Sequence, residues 1–182
     1  ANSTLEVDGR ISQIGLNASV VIGQGAGESD GLTYGHSVYI GFDAGKNTTN
    51  GGFNVFIGHS AGRSLGFAFG NTFVGHSAGI GTTTGGDNSF YGINAGFSNT
   101  TGGRNTFLGA QSGYSTTSGV RNVAVGYNAG NQQPNGTGAN VSQSVYIGYD
   151  TRTGVSGSVN EIVIGYEALG LGSNTTVIGN SS

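Results

Sequence analysis

Residues 54–62 read NVFIGHSAG, 71–79 NTFVGHSAG, 88–96 NSFYGINAG and 105–113 NTFLGAQSG. Each copy starts 17 residues after the previous one and keeps the frame Asn-x-Phe-x-Gly-x-x-Ala/Ser-Gly. Moving outward from this block, its apolar run ending in Gly recurs as VVIG, VYIG, VFIG, TFVG, SFYG, TFLG, VAVG, VYIG, IVIG and TVIG. The closing glycines are Gly23, Gly41, Gly58, Gly75, Gly92, Gly109, Gly126, Gly148, Gly165 and Gly179, at spacings of 18, 17, 17, 17, 17, 17, 22, 17 and 14. Five consecutive spacings of 17 identify a repeat protein.

The columns of the repeat turn that period into geometry. Two residues before each Gly lie Val21, Tyr39, Phe56, Phe73, Phe90, Phe107, Ala124, Tyr146, Val163 and Val177. One residue before it lie Ile22, Ile40, Ile57, Val74, Tyr91, Leu108, Val125, Ile147, Ile164 and Ile178. Neighbours along a strand point to opposite faces, so both faces are apolar in every repeat. Apolar runs this short, between Gly-rich stretches, give no helical period. A unit of this size cannot enclose its own core and must stack on its neighbours. The fold read from this is all-β: a β-solenoid, or β-roll, of about ten coils and mostly 17-residue repeats. Ten parallel rungs would make a rod of roughly 45–50 Å. The Ala-Gly pairs (Ala44-Gly45, Ala61-Gly62, Ala78-Gly79, Ala95-Gly96, Ala129-Gly130) suit tight corners. The Thr/Ser segments at 82–84, 100–101 and 116–118 suit a second, solvent-facing strand. Residues 1–13 read as a lead-in and 14–182 as one repeat domain, with a loop insertion at 131–140 where the spacing stretches to 22.

The interior of a narrow solenoid takes only one face of each strand. The other would form an apolar stripe along the rod, more than a monomer leaves exposed. Further copies of the same chain, packed about an axis parallel to the rod, are the economical cover. The sequence does not say which column faces that axis.

Composition removes other classes. The chain has 182 residues, 38 of them Gly, with one Pro and no Cys, Met or Trp. Charged residues are 8%, against a usual value of about 25%. Six Lys and Arg against nine Asp and Glu give net −3, so no basic surface is offered to nucleic acid. No apolar run is long enough to span a membrane, and ANSTLEVDGR has neither the basic head nor the apolar stretch of a signal peptide. Disulfides and thiolate metal sites are absent with Cys. Eight Tyr and nine Phe placed on a strict period argue against disorder.

The Ser/Asn-Val-x-Ile-Gly unit resembles the head repeats of trimeric autotransporter adhesins, the YadA-like left-handed β-roll. The longer form, Asn-Thr-Phe-x-Gly-x-x-Ala-Gly followed by Thr-Thr-Gly, looks more like repeats in trimeric tail fibres of bacteriophages and phage-related contractile injection systems. LEVDGRISQIG near the start and NTTVIGNSS at the close look like the edges of such a block. The likeness covers about residues 14–182, although the 17-residue unit is longer than the adhesin repeat. It implies a left-handed, parallel homotrimer in a virion or injection-particle fibre, or at a bacterial cell surface. Its partner would be a host cell-surface glycan or outer-membrane receptor. The alternatives are an adhesin head and a passive structural spacer.

Candidate sites follow from the columns. Tyr127, Tyr149 and Tyr166 follow the Gly in three successive coils and offer ring faces to sugars. With them we group Gln132, Gln133, Asn135 and Asn140 of the uncharged insertion as receptor-binding residues, since solenoid insertions leave the stack as loops. Phe97 and Tyr114 form a second aromatic column. The Asn column (Asn54, Asn71, Asn88, Asn105, Asn122) and the Phe column (Phe56, Phe73, Phe90, Phe107) read as structural ladders. His59 and His76 share a column and read as a stack rather than a metal pair. The acids are scattered, so no calcium repeat is present. Glu161 and Glu167 are the closest glutamates and read as surface solubilisers rather than a glycosidase pair. No nucleophile elbow and no phosphate loop is read. Offset Thr segments argue against ice binding. No catalytic residue, metal or cofactor is expected, and the chain reads as non-enzymatic.

Overall fold

The structure, a computed structural model, describes residues 19–29, 35–131 and 140–180. Ten three-residue strands follow one another: β1 Val20–Ile22, β2 Val38–Ile40, β3 Val55–Ile57, β4 Thr72–Val74, β5 Ser89–Tyr91, β6 Thr106–Leu108, β7 Val123–Val125, β8 Val145–Ile147, β9 Ile162–Ile164 and β10 Thr176–Ile178. They pair in parallel, in chain order, as one ten-stranded sheet. The register keeps the repeat: Phe56 pairs with Phe73 and Phe73 with Phe90. This is a β-solenoid, and its ten strands are joined by nine turns. Among the described residues no helix is long and apolar enough to cross a membrane.

The column that the sequence left open is resolved by burial. The middle residue of the strand points inward, and Tyr39, Phe56, Phe73, Phe90 and Phe107 are buried. The Ile/Val column points out with the first residue of each strand, as in the exposed Ile57, Leu108 and Ile147. Only Thr72, Ser89, Thr106 and Thr176 are polar on this outer strand face, and none of its side chains is charged.

The inner rings stack one coil apart. Centroids of Phe73 and Phe90 lie 4.8 Å apart with planes 6° from parallel, and Phe90 and Phe107 repeat this at 4.8 Å and 7°. The Ala-Gly corners close over them. Gly79 sits at φ +58, and a Cβ there would come within 2.4 Å of the Phe73 ring. A β-carbon on Gly75, at φ +136, would meet the carbonyl oxygen of Gly92 at 2.5 Å. Close approach of ring or backbone therefore demands glycine at both corners.

The Asn ladder lies inside and works mainly from side chain to backbone. Asn71 Oδ1 accepts from the Asn88 N–H at 3.0 Å, and Asn88 Oδ1 from the Asn105 N–H at 2.9 Å. Asn88 Nδ2 donates to the Gly102 carbonyl at 2.9 Å. Two direct amide–amide bonds supplement this, Asn71 to Asn54 at 3.3 Å and Asn122 to Asn105 at 3.0 Å.

The expected second strand is corrected. The Thr segments form bends, with Thr82 and Thr116 buried. Their backbone reaches the next coil through few bonds, such as Thr83 N–H to Thr100 carbonyl at 2.9 Å, reinforced by Thr83 Oγ1 at 3.1 Å. Flanking glycines and inward-turned hydroxyls break the alternation that a strand needs.

Candidate functional site: the exposed tyrosine stack

Each strand is followed by a Gly at positive φ, as at Gly126 (φ +127), Gly148 (φ +132) and Gly165 (φ +149), which swings the next residue off the sheet. That residue is Tyr127, Tyr149 or Tyr166 in successive coils. Coil-to-coil bonds hold the column: Asp150 N–H donates to the Tyr127 carbonyl at 2.9 Å, and Glu167 N–H to that of Tyr149 at 2.8 Å. Tyr127 and Tyr149 rings stack at 5.4 Å and 15°, and Tyr149 and Tyr166 at 5.1 Å and 10°. They remain 48%, 46% and 59% exposed. Glu167 beside Tyr166 holds that phenol above the usual tyrosine range. Because the rings cover one another's faces, the stack presents a wet ridge of ring edges and phenol hydroxyls, which can pack against a sugar and hydrogen-bond its hydroxyls.

The insertion is anchored at both roots. At one, Asn131 accepts from Ser115 Oγ and donates to Asn128 Oδ1, while Asn128 donates to Asp150. Asp150 also pairs with Arg152 at 3.8 Å. At the other root Asn140 Oδ1 accepts from the Ser118 N–H at 3.1 Å and from the Thr117 hydroxyl and N–H. The hydrogen bonds of Asn140 thus close the Thr117–Ser118 corner, and none reaches the tyrosines. Gln132, Gln133 and Asn135 lie outside the described residues.

The root network was not anticipated from sequence. Its signal is the second column after the Gly, where Asp43, Ser60, Ser77, Asn94, Asn128 and Asp150 hold φ of 51–57. Asn and Asp are the non-glycine residues most at ease in that region.

The remaining candidates take definite places. Phe97 and Tyr114 stack at 4.9 Å and 8° and are half-buried. His59 and His76 stack at 4.9 Å and 6°, with Phe42 continuing the stack at 5.2 Å from His59. Ring nitrogens of parallel stacked imidazoles point side by side instead of converging on one ion. Glu161 overturns its reading as a surface residue. It is fully buried in the Asn column, where its carboxylate accepts from Tyr146 Oη at 2.7 Å and from the Gly172 N–H at 2.7 Å. Glu167 is exposed.

Contrary to the expectation of no elbow, Gly-x-Ser-x-Gly is spelled four times, at 27–31, 58–62, 62–66 and 75–79. Ser60 and Ser77 even carry the strained φ of an elbow, 56° and 54°. Both of these serines are buried, Ser29 and Ser64 are exposed in turns, and none of the described segments runs into the helix that an elbow needs.

No protein family, curated protein or solved structure matches the chain.

Proposed function

We propose that the chain is a segment of a non-enzymatic, homotrimeric fibre or adhesin. It would project from a phage, a phage-like injection particle or a bacterial surface and bind a host-cell receptor, most simply a glycan. The observation that carries this reading is the outer strand face, which is free of charge and carries an apolar third residue in every strand from β1 to β10. Exposed Ile57, Leu108 and Ile147 on that face favour a partner. A second and third copy around an axis parallel to the rod would bury the same stripe on every chain. Three copies would also present three tyrosine stacks and give avidity to a weak sugar contact.

The test has two parts. Light scattering should return about three times 18.2 kDa. A glycan array probed with the intact chain should show saccharides whose signal disappears in Tyr149→Ala. A stable monomer, or an array unchanged by that substitution, rejects the corresponding half of the proposal.

A further inference from the structure

The turn that leads into each strand carries a second column, one residue before the buried Asn. In three successive coils it holds Asp87, Arg104 and Arg121, all at φ of 59–60. Backbone bonds fix each to the coil before it: Asp87 N–H to Phe69 carbonyl at 2.9 Å, Arg104 N–H to Gly86 carbonyl at 3.0 Å, and Arg121 N–H to Gly103 carbonyl at 3.1 Å. Between these side chains lies an open cleft of about 300 Å³, lined also by Gly86, Gly103, Thr101 and Val120.

The charges in this cleft do not balance. Arg104 pairs with Asp87 at 3.7 Å, with both side chains well exposed. Lys46, Arg63 and Arg152 also have acids within ion-pair reach. Among the described residues Arg121 is the one cation without such a partner, and the next residues up its column are Gln143 and Asn160. Nothing in the backbone selects arginine here, because the same column uses Gly70, Asn160 and Asn174 at similar φ. Two guanidiniums one coil apart repel each other. With Arg104 paired to Asp87, the arrangement leaves the Arg121 guanidinium facing solvent with no acidic partner among the described residues.

We propose that this cleft binds the carboxylate of an acidic saccharide. Arg121 presents a planar fork that a carboxylate engages through two parallel hydrogen bonds, assisted by Arg104. Asp87 limits the cleft to a net single positive charge, which suits a monoanion, and leaves a carboxylate acceptor for a neighbouring sugar hydroxyl. The Thr101 hydroxyl can serve the same ring. The site is separate from the tyrosine stack and rests on the proposed function only for the choice of a saccharide as carrier of the anion.

Calorimetric titration of the whole chain with a galacturonic acid trisaccharide tests this, with its methyl ester as the neutral match. The acid should bind at least about tenfold more tightly than the ester, and Arg121→Gln should remove that difference. Arg63→Gln should leave it in place, and sodium sulfate should compete only weakly. Equal affinity for acid and ester, no detectable binding of the acid, or an Arg121→Gln chain that binds like the parent each overturns the proposal. So does a change in assembly mass in Arg121→Gln, which would assign the arginine to contacts between copies. Neutral glycans lost in Tyr149→Ala with no preference for the acid would sink this site and spare the tyrosine reading. The reverse pattern would spare this site alone.

Discussion

Phe90 lies between Phe73 and Phe107 with no exposed surface, so its ring has a neighbour on each face. Truncating it leaves a gap that neither neighbour can fill without leaving its own stack. Phe90→Ala should cost about 3–5 kcal/mol and lower the thermal midpoint of the whole rod, since solenoid coils are stabilised by their neighbours. An unchanged midpoint in a calorimetric scan would contradict the inward assignment. The chain makes this substitution itself at Ala124, but there the next residue of the column is Tyr146. A Cβ on Gly130 would lie 3.0 Å from that of Ala124 and 3.3 Å from the Tyr146 ring, so the corner closes down on the smaller residue. Tyr146 adds a second residue-scale effect. Burial and the Glu161 carboxylate push its phenol well above the usual tyrosine range. A proton held more tightly in the folded state stabilises fully below the unfolded value, near ~10, and progressively less above it. Stability should therefore be flat with respect to Tyr146 from neutral pH to about 10 and decline beyond it. In Tyr146→Phe that part of the decline, followed by denaturant melts across the alkaline range, should disappear.

At the scale of the element, a coil is held to the next by three strand residues and by the ladder beneath them. Asn88→Ala would orphan the Asn105 N–H, while the Gly102 carbonyl would keep its second donor, Asn99 Nδ2 at 3.1 Å. One buried unsatisfied N–H should cost roughly 1–3 kcal/mol. Asn88→Ser should cost less, because the chain already uses serine in this column: Ser37 Oγ accepts from the Asn54 N–H at 3.1 Å and Ser144 Oγ from the Glu161 N–H at 3.0 Å. Equal losses in chemical denaturation would show that the amide's acceptor role is not what matters. This ladder also marks how far sequence reading reaches. Asn at every seventeenth residue announces a repeated interior contact, and Phe and Gly at fixed offsets announce the ring stack and its corner. Which of two apolar columns points inward is not legible, because alternation supplies two faces and no sign. Glu161 was illegible for a related reason. As a lone carboxylate in a column otherwise of neutral amides and hydroxyls, it is identified as interior only by the Tyr146 hydroxyl and the Gly172 N–H that meet it. The Thr segments misled because Thr favours strands on average, whereas here glycines on either side leave it one coil-to-coil contact at a time.

For the whole molecule, the outer apolar face and the insertion lead to separable expectations. Leu108 is 49% exposed and points away from the core, so Leu108→Asp should leave the coil intact while placing a charge on the proposed interface. Sedimentation should then find the strand signature retained and the mass reduced toward 18.2 kDa. A retained trimer would move the interface elsewhere. The insertion calls for a different variant, since its roots are hydrogen-bonded at Asn131 and Asn140 and its removal must not tear the adjoining coils. Shortening the Gly126–Gly148 interval from 22 residues to 17 would restore the spacing that most of the other coils already use. Trimer mass and circular dichroism should be unchanged, and the Tyr127–Tyr149 stack, which depends on strand register and not on the loop, should persist. Receptor binding should weaken if the loop forms a wall beside that aromatic ridge, and adding Tyr149→Ala should remove what remains. A shortened Tyr149→Ala trimer that still labels host cells as strongly as the parent would leave the rod as a spacer carrying a binding tip elsewhere.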